Sequence, residues 1–403
     1  MRETVKTSAF AAAALAIALA AAVMEPAAVS PGILSDQGEP FYPEFKDPAA
    51  VRAIEVVDYD EATATARPFQ VKFQNGRWVL PGSNNYPVDL GDRLVKTAAA
   101  LIDLRKDLVR SDSALEHAAF GVIDPLDQNV ASLAGRGKRV TLRDARNDVL
   151  ADFVLGKPVE GKEGYRYLRV PGQKRTYAVK TGADPSARFA DWVNAGILRI
   201  PSATIRKVSV TSYTLDQAMG RLDNLENLAI TREGGQWSVA GASGVKTAAI
   251  EAMAKALGNL EIVDVRPKPA PLAKDLRTGS LQLTLETAMS LRQRGFLITP
   301  AGRLLSTEGE MTVETANGLA YTLRFGDIAP GGGDNRFLFV TVSHDAARAA
   351  KYGDSSGAGE RLARDLNARF ADWYYIIAGQ DFACLRVKRK DVATGTAAPV
   401  PLS

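Results

Sequence analysis

An α+β fold of two diverged tandem repeats is the architecture this sequence predicts. Each repeat is a mainly antiparallel sheet with packing helices, and an N-terminal hydrophobic helix precedes them. Three observations lead there. The hexapeptide Ala187-Arg188-Phe189-Ala190-Asp191-Trp192 recurs as Ala368-Arg369-Phe370-Ala371-Asp372-Trp373. Segments of alternating polarity, split by glycine or asparagine pairs, occur in similar order before each copy. An uncharged run covers residues 7–24 behind Arg2 and Lys6.

The N-terminal run is read first. Phe10, Leu15, Ile17, Leu19 and Val23 stand in an alanine background that Glu25 ends. A positive flank before an apolar segment is the pattern the secretion machinery reads, and it keeps the positive end inside. Eighteen residues of helix rise roughly 27 Å, close to the hydrocarbon thickness of a bilayer. That length suits an uncleaved anchor, whereas Ala20-Ala21-Ala22 offers the small residues of a cleavage site. Either way residues 1–24 form a signal anchor or signal peptide, and the globular part is expected in the periplasm. An inner-membrane protein with one anchor, or a periplasmic one after cleavage, follows. Residues 25–50 hold five prolines and read as an extended linker. Its Phe41, Tyr42 and Phe45 are candidates for a partner interface or for docking onto the first domain.

The repeat units are expected at 51–200 and 203–387. Val51–Val56 resembles Ile205–Val210, and each opens its unit as a strand. Phe69, Val71 and Phe73 alternate with polar residues, as do Leu228 and Ile230, which marks half-buried strands. Asn75-Gly76 and Gly234-Gly235 follow, pairs that tolerate the positive φ of tight hairpins. Each leads to a strand with one tryptophan, Trp78 or Trp237. A helix is expected next, with Leu94, Ala98, Leu101 and Leu108 on one face in the first unit. Ile250, Met253, Leu257 and Leu260 do the same in the second.

Strands are then expected around Val140, Phe153, Tyr165 and Tyr177 in the first unit. In the second they are expected around Leu281–Leu285, Tyr321–Phe325 and Phe337–Phe339. An insertion near 291–317, with an apolar run from Phe296, is a second candidate interface. Each copy should close with the repeated hexapeptide as a helix. Phe189, Trp192, Phe370 and Trp373, with Trp78 and Trp237, are expected to anchor elements to their sheets. Residues 388–403 read as a flexible tail.

Composition narrows the chemistry. With 403 residues, two or three domains are expected, and 46% hydrophobic with 24% charged residues fits a globular chain. A net charge of +4, both signs interspersed, offers no field for nucleic acid. The single Cys384 reads as a small buried residue, and one thiol makes neither an internal disulfide nor a cysteine-rich metal site. His117 and His344 occupy unmatched contexts and suggest structural roles. Gly135-Arg136-Gly137-Lys138-Arg139 lacks the spacing of a phosphate loop and reads as a hairpin turn. Gly331–Gly333 reads as a loop. No cofactor is expected. The loop acids Asp124, Asp127, Glu160 and Glu163 leave a two-carboxylate glycan hydrolase open as an alternative function.

The chain also resembles the bacterial family called domain of unknown function 4340. The likeness lies in the apolar N-terminus, the Ile/Val-rich opening strand and the hairpin Asn75-Gly76-Arg77-Trp78. It continues in Gly121-Val122-Ile123-Asp124-Pro125, Phe153–Lys157 and Tyr321–Gly326. The resemblance implies an extracytoplasmic, often membrane-tethered protein that accompanies ABC-type exporters of the gliding-motility kind. It assigns no catalytic residues. The expected function is therefore a non-catalytic binding or scaffolding component of an envelope transport complex, with membrane or envelope proteins as partners and no nucleic acid.

Overall fold

The computed structural model describes residues 36–89, 99, 101–102, 104–216, 221–278, 284–299, 302–331, 333–353 and 357–395. The expected anchor at 7–24, the start of the linker and the last residues of the tail lie outside them.

In chain order the strands of the first half are β1 (Ala53–Asp60), β2 (Thr65–Gln74), β3 (Arg77–Leu80), β4 (Tyr86–Pro87), β5 (Leu108–Ser111), β6 (Lys138–Arg143), β7 (Val149–Pro158), β8 (Tyr165–Arg169) and β9 (Thr176–Lys180). Later come β10 (Ile205–Asp216), β11 (Arg221–Glu233), β12 (Gln236–Val239), β13 (Gly244–Val245), β14 (Ile262–Pro267), β15 (Phe296–Ile298), β16 (Leu304–Ser306), β17 (Glu310–Thr315), β18 (Leu319–Ile328), β19 (Arg336–His344), β20 (Trp373–Ile377) and β21 (Ala393–Thr394). The described helices are α1 (His117–Phe120), α2 (Thr247–Gly258), α3 (Ala270–Thr278), α4 (Leu285–Arg292), α5 (Ala346–Lys351), α6 (Ala358–Ala371), α7 (Gly379–Leu385) and α8 (Arg389–Val392).

The chain forms two compact units. One takes the described residues up to Phe69 together with Asp92–Ala187, and the other takes Gln70–Gly91 with Arg188–Ser403. The division falls elsewhere than the expected 51–200 and 203–387. Residues 70–91 and 188–200 go with the second unit because local bonds hold them there. The Asp89 amide donates to the Trp192 carbonyl at 3.1 Å, and Tyr86 packs edge-on against Trp373 with ring centres 5.0 Å apart.

In the first unit six strands run in the antiparallel order β1-β6-β7-β8-β9-β5. Val140 and Leu142 on β6, and Phe153 and Leu155 on β7, are almost wholly buried, as are Thr141 and Val154 between them. In the second unit six strands run β10-β17-β18-β19-β20-β14, again antiparallel. Beside β10 lie β11 and then β12. The turn before β12 holds Gly234 and Gly235 at φ 56° and 85°, and the turn before β3 holds Asn75 and Gly76 at 51° and 78°. Both pairs close hairpins, β11–β12 and β2–β3, as expected.

Along β17, Met311, Val313 and Thr315 face inward while their neighbours are half-exposed. One face of the second sheet is covered by α3, α4 and the β15–β16 hairpin. There Leu272, Leu291, Phe296, Phe339 and Tyr374 form a single apolar cluster. On α2, Ile250, Met253 and Leu257 are buried at helical spacing, as expected. The indole N–H of Trp237 donates to Glu251 of that helix at 2.6 Å.

Several expectations are corrected. Leu108 sits in β5, not on a helix, while Leu94 and Ala98 lie outside the described residues. Leu285 opens α4, capped by Thr284, rather than ending a strand; Leu281 and Leu283 are outside the description. The extra piece of the second unit is α3, α4 and the β15–β16 hairpin, whereas residues 310–315 belong to the main sheet as β17. Residues 388–395 are not a loose tail: β21 pairs with β13, and Val392 is fully buried. Cys384 is exposed on α7, not buried.

The repeated hexapeptide does not form the same element twice. In the first copy Phe189–Asp191 is one 3-10 turn that follows β9. In the second the residues end the 14-residue α6, and Trp373 opens β20. β9 and β20 hold the same rank in their strand orders, so one hexapeptide follows and the other precedes the corresponding strand. Trp192 and Trp373 are therefore not counterparts. Trp192, Trp237, Phe189 and Phe370 are buried, while Trp78 and Trp373 are half-buried.

Candidate functional site

The best-built site lies in the first unit, around Gly121-Val122-Ile123-Asp124-Pro125. Ser113 accepts the Leu115 amide and starts a 3-10 turn that leads into α1. Gly121, at φ 69°, ends α1 in the left-handed region, which lets the chain turn sharply inward. Val122, Ile123 and Asp124 are then buried.

Two glycines of the Gly135-Arg136-Gly137 run and Gly156 on β7 make that inward turn possible. A Cβ on Gly135 would stand 2.4 Å from the Ala118 carbonyl oxygen, and one on Gly137 2.6 Å from that of Gly121. On Gly156 it would stand 2.4 Å from the Phe120 oxygen. No side chain fits at these distances, so backbone presses on backbone. Arg136 staples the loop that follows, donating to the carbonyls of Asp124 and Asp127 at 2.9 Å and of Val130 at 2.7 Å. Its guanidinium also lies over the Tyr59 ring, 4.9 Å from the centre.

Two further arginines shape the floor. Arg139 on β6 grips Asp152 through two bonds of 3.0 and 2.7 Å and reaches Asp124 at 2.9 Å. The bonds to Asp152, ahead of the cost of burial, hold Arg139 more firmly charged than usual. The other oxygen of Asp124 accepts the Leu126 amide at 2.9 Å. Arg169 on β8 is only 6% exposed. It donates to the Val122 carbonyl at 2.9 Å and the Gln173 carbonyl at 3.0 Å. Burial lowers its affinity for the proton; Asp124 and Asp127 act against that, and Arg139 adds to it. His117 closes one side, its Nε2–H donating to the Lys174 carbonyl at 2.7 Å, and burial lowers its pKa.

These groups line a pocket of ≈ 690 Å³. Its exposed edge carries two leucines, Leu115 at 94% exposure and Leu126 at 49%, beside the polar Asn129, Ser132, Gln173 and Lys174. A floor of guanidinium groups under leucine side chains can hold a ligand with a negative end and an apolar body.

The structure sorts the residues singled out from sequence. Asp124 and Asp127 line the pocket, but Asp124 is taken up by Arg139 and the Leu126 amide, and Asp127 accepts the Asn129 amide at 2.8 Å. Glu160 and Glu163 are exposed in the turn between β7 and β8 and do not line it. His344 ends β19 in the second unit, beside Asp345, whose carboxylate caps α5. Among the described residues no cluster of histidine, cysteine and acids is placed to hold a metal.

Of the two roles expected for the linker aromatics, the contacts they make are those of docking onto their own unit. The segment carrying Phe41, Tyr42 and Phe45 runs against residues 104–106, with the Phe41 amide donating to the Leu104 carbonyl at 2.9 Å. Phe41 meets Tyr177 edge-on with centres 5.0 Å apart, the Tyr42 hydroxyl donates to the Asp152 carbonyl at 2.5 Å, and Phe45 is buried. Phe296 is fully buried against Phe339 and Tyr374. These rings serve packing, because each has apolar surface of its own unit to cover. Sequence reading missed Arg139, Arg169 and Leu115. The one available signal is a pair of arginines near the ends of β6 and β8, strands that each hold buried apolar residues.

Among the described residues no helix is long and apolar enough to cross a membrane. Residues 78–278 match the model of a family described as Domain of unknown function (DUF4340). No curated protein and no solved structure matches the chain.

Proposed function

The chain belongs to the DUF4340 family, matched over residues 78–278, and on that premise we propose that it is an extracytoplasmic binding component of an envelope transport assembly of the ABC type. Residues 7–24 tether it to the inner membrane, with Arg2 and Lys6 on the cytoplasmic side. Two diverged copies of one α+β design make up the rest, a reading supported by the shared order of six strands.

The observation that carries the binding role is the first-unit pocket, where two arginines lie beneath an exposed leucine rim. Its acid Asp124 is engaged on both oxygens, which suits a group that shapes a site better than one that shuttles protons. Two measurements test the reading. Alkaline phosphatase fused after Ser403 is expected to be active, and an inactive cytoplasmic reporter overturns the extracytoplasmic placement. Affinity purification of the full chain from detergent-solubilised native membranes is expected to bring down subunits of an ABC-type transporter. Recovery of the chain alone overturns the role in an assembly.

A further inference from the structure

Arg169 has an unusual position. It is 6% exposed, yet among the described residues no carboxylate lies within ion-pair distance of it. Two carbonyls hold it by Nε and one terminal nitrogen, and a guanidinium has five N–H donors. Asp124, the nearest acid on the floor, is already bound to Arg139, which in turn is shared with Asp152. A buried cation without its own counter-ion is costly to a fold unless something supplies the missing charge. The pocket that Arg169 lines is open to solvent on the side of Leu115 and Leu126.

We propose that this pocket binds a single-chain amphiphilic anion, its head beside Arg169 and its apolar body across Leu115, Leu126 and Val130. The proposal rests on the reading of the pocket as a binding site and names its ligand class. The head carries one carboxylate or one phosphate group, because Arg139 is already committed to two acids while buried Arg169, with the exposed Lys174 at the pocket's edge, leaves positive charge for it to meet. A volume of ≈ 690 Å³ suits a small amphiphile rather than a folded partner. The rim explains the apolar body. Leucine at 94% exposure gains nothing from water, and covering it contributes to binding in proportion to the area removed.

Equilibrium dialysis of radiolabelled octanoate against the full chain in phosphatidylcholine nanodiscs, with empty nanodiscs subtracted, tests the proposal. Saturable binding is expected, displaced by octyl phosphate and unaffected by octanol. Affinity should rise about two- to fourfold per methylene from acetate to octanoate, the range for partly covered CH₂ groups. Whichever of octanoate and octyl phosphate binds more tightly identifies the head group as carboxylate or phosphate. Arg169→Met should abolish binding. Should that variant fail to fold, the exposed pair Leu115→Ser/Leu126→Ser decides, with an expected loss of at least about tenfold. No saturable binding of either anion overturns the proposal. So does displacement by octanol equal to that by octyl phosphate, or unchanged affinity in the double leucine variant. None of these results touches the reporter or the purification described above, so the ligand class can fail while the role in an assembly stands.

Discussion

Lys268 donates its ammonium to the backbone carbonyl of Phe370 at 2.7 Å, and its Nζ sits 4.1 Å from the centre of the Phe339 ring. The side chain is buried, and burial, partly offset by the charge of Asp372, brings its pKa down to about 7. An unfolded lysine keeps its proton to a much higher pH. Between about 7 and the ordinary lysine value the unfolded chain therefore binds more protons than the folded one. Stability contributed by this group rises with pH across that window, and the penalty is fully present below about 7.

Lys268→Met removes the titration. Urea unfolding at pH 7 and pH 9 should show the parent gaining about 2 kcal/mol more than the variant over that step. Equal gains in both proteins would mean that the ammonium is not desolvated in the folded state.

The glycine contacts under the pocket make a steric prediction. Gly156→Ala places a Cβ 2.4 Å from the Phe120 oxygen, where backbone must move. A loss of about 1–3 kcal/mol is expected, as for overpacked sites. Gly182→Ala has nothing within 4 Å of its Cβ and should be neutral. Chemical unfolding of the two variants side by side checks the contrast, and equal stability would show that the segment before Val122 yields at no cost.

The aromatic segment at 41–45 belongs to the first unit. Phe41→Ser, Tyr42→Ser and Phe45→Ser together should lower the melting temperature by roughly 10 °C or more, since loss of one buried phenylalanine alone costs about 3–5 kcal/mol. Calorimetry of the full chain measures it. An unchanged melting temperature would return these rings to the role of an interface.

Much of the sheet was legible along the chain because burial on one face writes itself as alternation. Met311, Val313 and Thr315 face inward at every second position, and Gly234-Gly235 marks its hairpin by the positive φ that glycine permits. The candidate site was less legible. Arg169 on a strand reads as a solvent-facing residue, and only the packing of Val122 and Gln173 around it takes it out of water. Leu115 gives no signal for the opposite reason: its hydrophobicity is local, while its 94% exposure depends on what fails to cover it. The prolines before residue 50 read as an extended linker whose aromatics could dock on the first domain, and backbone bonds to residues 104–106 hold that stretch there.

The hexapeptide Ala-Arg-Phe-Ala-Asp-Trp marks the division between the two sources of information. By itself the sequence determined the family, the antiparallel strands and the tight turns, because these follow from period, φ preference and local hydrogen bonding. Tertiary structure alone decided what the repeated residues became: a single 3-10 turn at Phe189–Asp191, and the end of a 14-residue helix at Phe370. Short helical segments are marginal in water, so the surface each one packs against selects its length and its end. The same reason governs the pocket, where distant residues on β6, β7 and β8 meet the turn after α1 only once the sheet has formed.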